Sequence, residues 1–205
     1  MTPFFLDCAM KRKSFEKHRL AVAQAASGIV LEIGFGSGLN LPYYRNVSKL
    51  FALDPSRDLF VLAKGRVEKA AFPVDFLQAS AEQIPLADTS VDAVVSTWSL
   101  CTIPHPQLAL KEVLRVLKPG GTFSFIEHGK SPNRFVAAVQ KCCTPFSKCF
   151  AGGCHLDREI EKLIRGSGFD IQKLDTFSTW SMPLAYMYRG VATKTDSFAT
   201  KSSKC

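Results

Sequence analysis

The sequence has no apolar run that approaches the roughly 18 residues of a membrane-spanning helix. Near the start, the cluster Phe4-Phe5-Leu6 is far too short for the apolar core of a signal peptide. Internal repeats are also absent. The 205 residues are 46% hydrophobic and 21% charged, which is typical of one globular domain with a sizeable core. These features predict a cytoplasmic protein.

The sequence also lacks cysteine pairs of the C-x2-C type, although it contains seven cysteines. An odd number in a chain of this size is not typical of a secreted disulfide framework. The spacing C-C-x5-C-x4-C-H, from Cys142 to His155, does not match zinc sites built from paired C-x2-C arms. We therefore expect reduced thiols, several of them buried as small hydrophobic residues, and no metal site.

The net charge of +8 suggests nucleic acid or an anionic membrane surface as a partner. The positive residues are scattered, apart from several lysines in the last dozen residues and a cluster between Lys11 and Arg19. The cluster is predicted to form the basic outer face of an N-terminal helix that places Phe15 and Val22 inward. No platform of interleaved aromatic and basic residues, of the kind that binds RNA, is visible. We expect no nucleic-acid partner and a protein that is a monomer or dimer. The positive residues are expected either to be solvated or to make peripheral contact with an anionic membrane.

Short apolar runs alternate with segments of helical periodicity. The run from Val91 to Thr97 is nearly continuous, which is typical of a strand covered on both faces. The last two strands are joined too closely for a helical crossover and should run antiparallel. The pattern predicts an α/β, doubly wound, Rossmann-like sheet of seven strands, mostly parallel, with an antiparallel last strand and helices on both faces. Strands are predicted near 29–33, 49–53, 74–77, 91–97, 122–126, 169–176 and 184–193, and helices near 10–26, 38–46, 56–71, 106–117 and 156–166.

A single domain is predicted over residues 1–193, with an N-terminal helical cap at 1–27 and a disordered polar tail at 194–205. The connection 130–153 contains aromatic and basic residues in alternation. It allows two interpretations: a substrate lid with an apolar lining, or an ordinary amphipathic helix that closes the core.

The most informative segment is Val-Leu-Glu-Ile-Gly-Phe-Gly-Ser-Gly, residues 30–38. A short apolar strand is followed by a turn through Gly34, Gly36 and Gly38, and glycine allows a backbone with φ > 0 and close approach of a ligand. The next predicted strand ends at Asp54, about 20 residues after the first glycine, where an acid can bind ribose hydroxyls. This combination predicts a site for a cofactor that contains a nucleoside.

The spacing of the glycines separates two kinds of cofactor. The nicotinamide and flavin fingerprint G-x-G-x-x-G/A requires a third small residue, and Leu39 occupies that position. The chain instead reads E-x-G-x-G-x-G, beginning at Glu32. This pattern resembles motif I of the class I S-adenosylmethionine (SAM) dependent methyltransferases, and Asp54 fits the acid of their motif II. A nicotinamide-dependent oxidoreductase is therefore disfavoured.

The resemblance extends over residues 28–193, including the later motifs at 79–86, 92–97 and 115–121. It implies SAM as cofactor and S-adenosylhomocysteine as product, with the glycines along the methionine half and Glu32 bracing the loop. Asp54 would bind the ribose, the Ala81 amide would meet the adenine edge, and the Thr97 carbonyl would accept from the methionine ammonium. The implied cofactor-binding residues are Glu32, Gly34, Phe35, Gly36, Ser37, Gly38, Asn40, Asp54, Pro55, Ser80, Ala81, Glu82, Thr97 and Trp98.

The resemblance is closer still to bacterial methyltransferases labelled as phospholipid or ubiquinone-type, and to membrane-anchored methyltransferase-like enzymes that methylate small thiols. Two positions depart from the pattern. Ser80 stands where the family commonly has Asp, so the adenine amino group would be bound more weakly. Met187 stands where the thiol enzymes have a histidine in the last strand, which puts any substrate role of that histidine in doubt. The shared segments are 38–44, 99–103, 125–128 and 152–158.

The resemblance predicts methyl transfer to a small apolar molecule, and the alternative acceptors are a phospholipid amine and a quinone ring carbon. A SAM-binding protein without turnover is an alternative of another class. Such transfer depends mainly on positioning, and a base helps only when the nucleophile arrives protonated. His128, at the tip of the fifth strand, is the candidate base because imidazole titrates near neutral pH, and Glu127 is the candidate to orient that ring or a substrate amine. The alternative is a structural histidine at a strand end.

Overall fold

The computed structural model describes residues 3–150, 152–179 and 182–194. A mixed sheet is flanked by helices, and the elements follow one another in the alternation that the sequence predicts. The helices are α1 (Pro3–Met10), α2 (Lys13–Gln24), α3 (Arg57–Val67), α4 (Pro106–Val116), α5 (Arg134–Phe150) and α6 (Ile160–Gly166). The strands are β1 (Ser27–Ile33), β2 (Asn46–Leu53), β3 (Val74–Leu77), β4 (Val91–Thr97), β5 (Leu117–Gly129), β6 (Phe169–Thr179) and β7 (Met182–Lys194).

The seven strands form one sheet in the order β3-β2-β1-β4-β5-β7-β6. Strands β1 to β5 pair in parallel, and β7 runs antiparallel to both of its neighbours, β5 and β6. The predicted fold class is therefore confirmed. The strand order reverses between β1 and β4, and in open α/β sheets ligands bind beyond the carboxyl ends of the strands at that point.

Each face of the sheet has its own apolar cluster because successive strand residues point to opposite faces. Leu31 packs in one cluster with Leu110 of α4. Its neighbour Val30 packs in the other cluster with Val22 of α2 and Ala63 of α3. Helices thus cover both faces of the sheet and leave the loops at the strand ends to form the site.

The glycine loop differs from its predicted structure. The helix expected at 38–46 is reduced to a 3-10 turn, Leu41–Tyr43. Pro42 supplies no backbone donor, and Tyr44 leaves the turn in an extended conformation with its ring buried. The helix expected at 10–26 corresponds to α2, Lys13–Gln24, and a separate helix, α1, precedes it.

The connection 130–153 contains the amphipathic helix α5, whose side chains Phe135 and Phe146 are exposed. Its inner face carries the buried Gln140, which donates to the carbonyls of Gly129 and Leu184. The helix therefore packs against the sheet, and a lid function stays a prediction. Of the expected tail, Lys194 belongs to β7, and 195–205 lie outside the described residues.

Among the parts of the chain that the structure describes, no helix is both long enough and apolar enough to cross a membrane.

The loop that follows β3 is held by Arg115 of α4. The guanidinium donates to the carbonyls of Ile84 (2.9 Å) and Leu86 (2.8 Å), and it pairs with Glu112 at 2.7 Å. Glu112 in turn accepts from the Ile84 amide at 2.9 Å. One arginine therefore fixes the loop that carries the predicted adenine-binding residues.

We expect Arg115→Met to lower the free energy of unfolding by about 1–3 kcal/mol, because it strands the carbonyls of Ile84 and Leu86. Urea unfolding followed by circular dichroism measures this change. Lys111→Met, at an exposed position of the same helix, is the matched control and should stay within about 0.5 kcal/mol of the wild type. Equal midpoints for the two variants would show that Arg115 does not hold the loop.

Candidate active site

The loop after β1 makes a cradle of backbone at the carboxyl end of the sheet. Gly34, Gly36 and Gly38 have φ values of +65°, +60° and +77°. A side chain at Gly34 would collide with Ser99, whereas above Gly36 a Cβ would meet only the carbonyl oxygen of Gly34, at 3.9 Å. The space above Gly36 is therefore open, as close approach of a ligand requires.

Asp54 lies at the end of β2 and is buried against the glycine loop. Its Oδ2 accepts from the Gly36 amide at 2.9 Å, and its Oδ1 accepts from the Ser56 amide at 2.8 Å. Burial raises the pKa of Asp54, while these two hydrogen bonds oppose the shift. Each carboxylate oxygen keeps a second acceptor position, so the group can still bind ribose hydroxyls.

Glu32 is buried beneath the loop at the centre of a hydrogen-bond network. It accepts from the Tyr44 hydroxyl at 2.7 Å and from the Asn40 amide at 2.8 Å, and Asn40 also donates to the Thr97 hydroxyl at 3.0 Å. Burial raises the pKa of Glu32 to about 7, against the opposing effects of the Tyr44 bond and the Arg19 charge. The network joins β1, the glycine loop and the end of β4. Sequence reasoning missed Tyr44, which no spacing rule indicates.

Arg19 was expected on the basic outer face of the N-terminal helix, and that expectation is wrong. Its guanidinium is buried, donates to Asn40 Oδ1 at 3.0 Å and lies 4.8 Å from the centroid of the Trp98 ring. Burial lowers the pKa of Arg19 to about 10, although Glu32 opposes the shift. Phe15 and Val22 face inward as predicted. Helix α2 therefore covers the cofactor side of the sheet.

Trp98 begins the loop after β4 with a φ of +54°, a backbone conformation that is costly for a bulky residue. Its amide donates to the carbonyl of Ile126 at 2.8 Å, and its indole Nε1 contacts Met187 Sδ at 3.4 Å. The ring centroid of Phe15 lies 4.8 Å away. The loop is thus held between α2, β5 and β7.

Helix α1, which falls within the segment predicted as an N-terminal helical cap, closes the other side of the glycine loop, and no sequence pattern indicated its contacts there. The buried Asp7 accepts from the Ser37 hydroxyl at 2.5 Å and pairs with Lys11 (2.7 Å) and Arg66 (3.0 Å). Arg66 also donates to the carbonyl of Ser37 at 2.6 Å. These contacts fix Ser37, one of the predicted cofactor-binding residues.

The remaining predicted cofactor residues lie around the ends of β2 and β3. Ser80 is exposed and accepts from the Glu82 amide at 3.2 Å, and Ala81 is buried in the core. The Glu82 carboxylate accepts from the His105 amide at 2.8 Å and thereby caps the start of α4. Phe35 is buried with its ring centroid 5.9 Å from that of Phe76, and Pro55 is exposed.

The two candidate catalytic residues, Glu127 and His128, lie at the carboxyl end of β5. Glu127 is fully buried, and its Oε1 accepts from the Ser96 hydroxyl at 2.6 Å and from the Ser99 amide at 3.1 Å. Burial raises the pKa of Glu127. Its Oε2 has no hydrogen-bond partner among the described residues. The partners of Glu127 belong to β4 and its loop, so a role in orienting the imidazole or a substrate amine stays a prediction.

His128 is buried, and its Nε2 lies 2.7 Å from the Sγ of Cys154. Burial lowers the pKa of His128, but the hydrogen bond and charge of Cys154 outweigh it and the net shift is upward. Cys101 completes a cluster whose three ligand atoms all lie within 4.8 Å of one another. The role of His128 as a base stays a prediction. The spacing around Cys154 gave no sign of this cluster, because its partners come from other strand ends.

A surface recess of about 900 Å³ lies where α5 and α6 approach the end of β5. Its lining includes Lys130, Arg134, Lys162 and Tyr188, and it contains none of the predicted cofactor-binding residues. The cofactor cradle is therefore a separate feature of the molecule.

Comparison with known proteins agrees with this geometry. Residues 31–125 match the sequence profile of the methyltransferase domain. Thiol S-methyltransferase TMT1B of Rattus norvegicus is 34% identical over 177 residues, which are 84% of this chain and 71% of the relative. Phosphatidylethanolamine N-methyltransferase of Cereibacter sphaeroides is 30% identical over 153 residues, which are 74% of each chain.

The fold also matches a solved structure, the 1,6-didemethyltoxoflavin-N1-methyltransferase of Burkholderia thailandensis with bound S-adenosylhomocysteine. The TM-score is 0.71 at 16% identity, over 94% of this chain and 83% of the other. At 16% identity this structural match supports the fold alone. The sequence relatives, at 30–34% identity, establish membership of the family. The chain therefore belongs to the class I SAM-dependent methyltransferases.

Proposed function

We propose that this methyltransferase transfers the methyl group of SAM to the sulfur of a small apolar thiol. The observation that carries the proposal is the apolar surroundings of the loop after β4, where Phe15 and Met187 both contact Trp98. Apolar and sulfur-containing side chains stabilise an apolar acceptor by contact and provide no counter-charge for a cationic one. The similarity to a thiol S-methyltransferase supports the same acceptor class.

Bound SAM supplies a methyl group on a sulfonium that is already activated for in-line displacement. The chain therefore needs to position the cofactor and acceptor and to exclude water. The backbone of Gly34, Gly36 and Gly38 is placed to follow the methionine half, and Asp54 to bind the ribose. A thiol suits such a site because its thiolate is a strong nucleophile near neutral pH.

A second candidate acceptor is the amine of phosphatidylethanolamine. One observation favours it: the buried Oε2 of Glu127 has no partner among the described residues and could accept from an amine. The similarity to a phosphatidylethanolamine N-methyltransferase supports the same acceptor. One observation argues against it: burial raises the pKa of Glu127 and so disfavours the carboxylate charge that would attract an ammonium group.

We expect Asp54→Ala to weaken SAM binding by about 1–3 kcal/mol, because ribose hydroxyls and the Gly36 amide lose their acceptor. Titration calorimetry with SAM measures the change, and NAD should give no heat with either protein. Asp58→Ala, at an exposed position in the first turn of α3, is the control and should bind like the wild type. Unchanged affinity in folded Asp54→Ala protein would remove Asp54 from the cofactor site.

The acceptor is tested by release of S-adenosylhomocysteine in the presence of an aromatic thiol, the alcohol with the same carbon skeleton, phosphatidylethanolamine vesicles and a quinol. We expect turnover with the thiol and none with the alcohol, because the alcohol remains protonated at neutral pH. Turnover with the phospholipid and not with the thiol would overturn the proposed acceptor and support the second candidate. SAM binding without turnover of any acceptor would contradict both candidates.

We also propose that the exposed basic residues at the start of α2 contact anionic membrane from the aqueous side. Arg12, Lys13 and Lys17 are exposed, whereas the apolar face of the helix is packed against the sheet. Attraction of this kind depends on charge and falls within a Debye length of the surface. The helix has no free apolar face with which to insert.

In flotation assays we expect the protein to rise with phosphatidylserine-containing vesicles at low salt and to be released at high salt. Replacing Lys13 and Lys17 by Gln should reduce the bound fraction, and pure phosphatidylcholine vesicles serve as the neutral control. Equal binding to neutral vesicles, or binding that persists at high salt, would exclude a charge-based contact.

A further inference from the structure

We propose that Cys101, His128 and Cys154 form a binding site for one zinc ion, and that its fourth coordination position takes the sulfur of the acceptor thiol. The second half of this proposal rests on the proposed function, whereas the metal site itself does not.

The three side chains come from three loops and strand ends that the fold brings together. Cys101 lies in the loop after β4, His128 lies at the end of β5, and Cys154 lies in the connection between α5 and α6. All three are buried, with 2%, 8% and 6% of their surfaces exposed. Polar ligand groups gathered this closely in the interior are costly unless they bind one another or a metal.

The separations of the ligand atoms suit a single metal ion. A tetrahedral zinc site has Zn–S distances of about 2.3 Å and Zn–N distances of about 2.0 Å, which place neighbouring ligand atoms roughly 3.5–4 Å apart. The three ligand atoms here lie within 4.8 Å of one another, and the Nε2 of His128 is 2.7 Å from the Sγ of Cys154. Shifts of about an ångström would open the cluster around an ion.

The types of ligand select the metal. Two thiols and one imidazole suit zinc, whereas calcium and magnesium require oxygen ligands. Two thiolates also neutralise the charge of Zn²⁺, which removes the main cost of burying the ion. Three protein ligands leave the fourth position free, as in catalytic zinc sites, whereas structural zinc sites are closed by four.

The surrounding contacts hold the two cysteine loops together. The amide of His155 donates to the carbonyl of Cys101 at 2.8 Å. The Arg158 guanidinium donates to the carbonyl of Leu100, and to that of Ile103 at 2.7 Å. The connection enters Cys154 through Gly153, whose φ is +87°. Outer contacts of this kind orient metal ligands before the metal arrives.

The cluster adjoins the cofactor cradle through a single loop. The Sγ of Cys101 lies 3.4 Å from the carbonyl oxygen of Trp98, and the hydroxyl of Ser99 reaches the carbonyl of Gly34 at 3.4 Å. A sulfur bound at the fourth position would therefore lie next to the loop that borders the methionine half of the cofactor. This proximity distinguishes the cluster from a remote structural site.

The reaction balances without a further reactant. A thiol that coordinates zinc loses its proton to solvent and remains as the bound thiolate. The acceptor sulfur then attacks the methyl carbon, the new C–S bond forms, and the C–S bond of the sulfonium breaks with its electron pair going to S-adenosylhomocysteine. The product is a neutral thioether, which is a weaker ligand and leaves. In this scheme His128 is a metal ligand and does not act as a base.

The metal site is tested on tag-free full-length protein purified without chelator. We expect about one zinc per chain by elemental analysis, and uptake of Co²⁺ by the chelator-stripped protein with the charge-transfer absorption of thiolate ligands. Cys154→Ser and Cys101→Ser should each weaken zinc binding more than about 100-fold, beyond the usual effect of losing an outer contact. Cys149→Ser, at an exposed position near Cys154, should bind zinc like the wild type.

Stripped wild-type protein that takes up neither zinc nor Co²⁺ would overturn the site, with no need for any variant to fold. Equal zinc binding by Cys149→Ser and Cys154→Ser would overturn it as well. Adding an aromatic thiol to the Co²⁺ protein should shift the charge-transfer band, and the matching alcohol should not. Thiol turnover by protein free of metal would overturn the role of zinc in the reaction and leave the proposed function intact. Metal binding with no spectral response to thiol would overturn the fourth ligand alone.

Discussion

The buried carboxyl group of Glu32 is the constraint on which the cofactor side of the molecule depends. Tyr44 and Asn40 hold its two oxygens, and Asn40 extends the contact to Arg19 and Thr97. A polar network inside a low-dielectric core stabilises one arrangement strongly when every member is paired, and is costly when one is missing. The chain between β1 and β2 therefore follows the positions of these donors, and helical propensity has little influence.

The sheet and its cofactor motifs could be predicted because both are local in the sequence. The apolar run from Val91 to Thr97 and the helical spacing of Leu110 and Val113 depend only on burial of neighbouring residues. The glycine spacing reflects the backbone geometry at the end of the first strand, and Asp54 marks the end of the second strand. These features need no knowledge of distant contacts, so the fold class and the family resemblance followed from them.

The sequence-based predictions failed where a contact with a residue distant in the sequence determines the local structure. Arg19 was placed with its basic neighbours on the outer face of the helix. It is buried instead, because Asn40 and the Trp98 ring offset the cost of burying its charge. The turn at Leu41–Tyr43 replaced a helix because Tyr44 is drawn into the Glu32 network. The cluster of Cys101, His128 and Cys154 forms only where two loops meet the end of β5, and no sequence spacing encodes it.

Strand β5 ends with two titratable residues that present different chemistry to the acceptor. Glu127 is held by Ser96 and Ser99, and burial raises its pKa, so its remaining oxygen is poorly suited to attract a cation. His128 faces the sulfur of Cys154 instead. Consecutive strand residues point to opposite faces, so one acceptor cannot use both groups in the same way. The Oε1 of Glu127 is already committed to internal hydrogen bonds with Ser96 and Ser99. The side that holds the sulfur of Cys154 can exchange one soft contact for another, and for this reason we propose a thiol and not an amine as the acceptor.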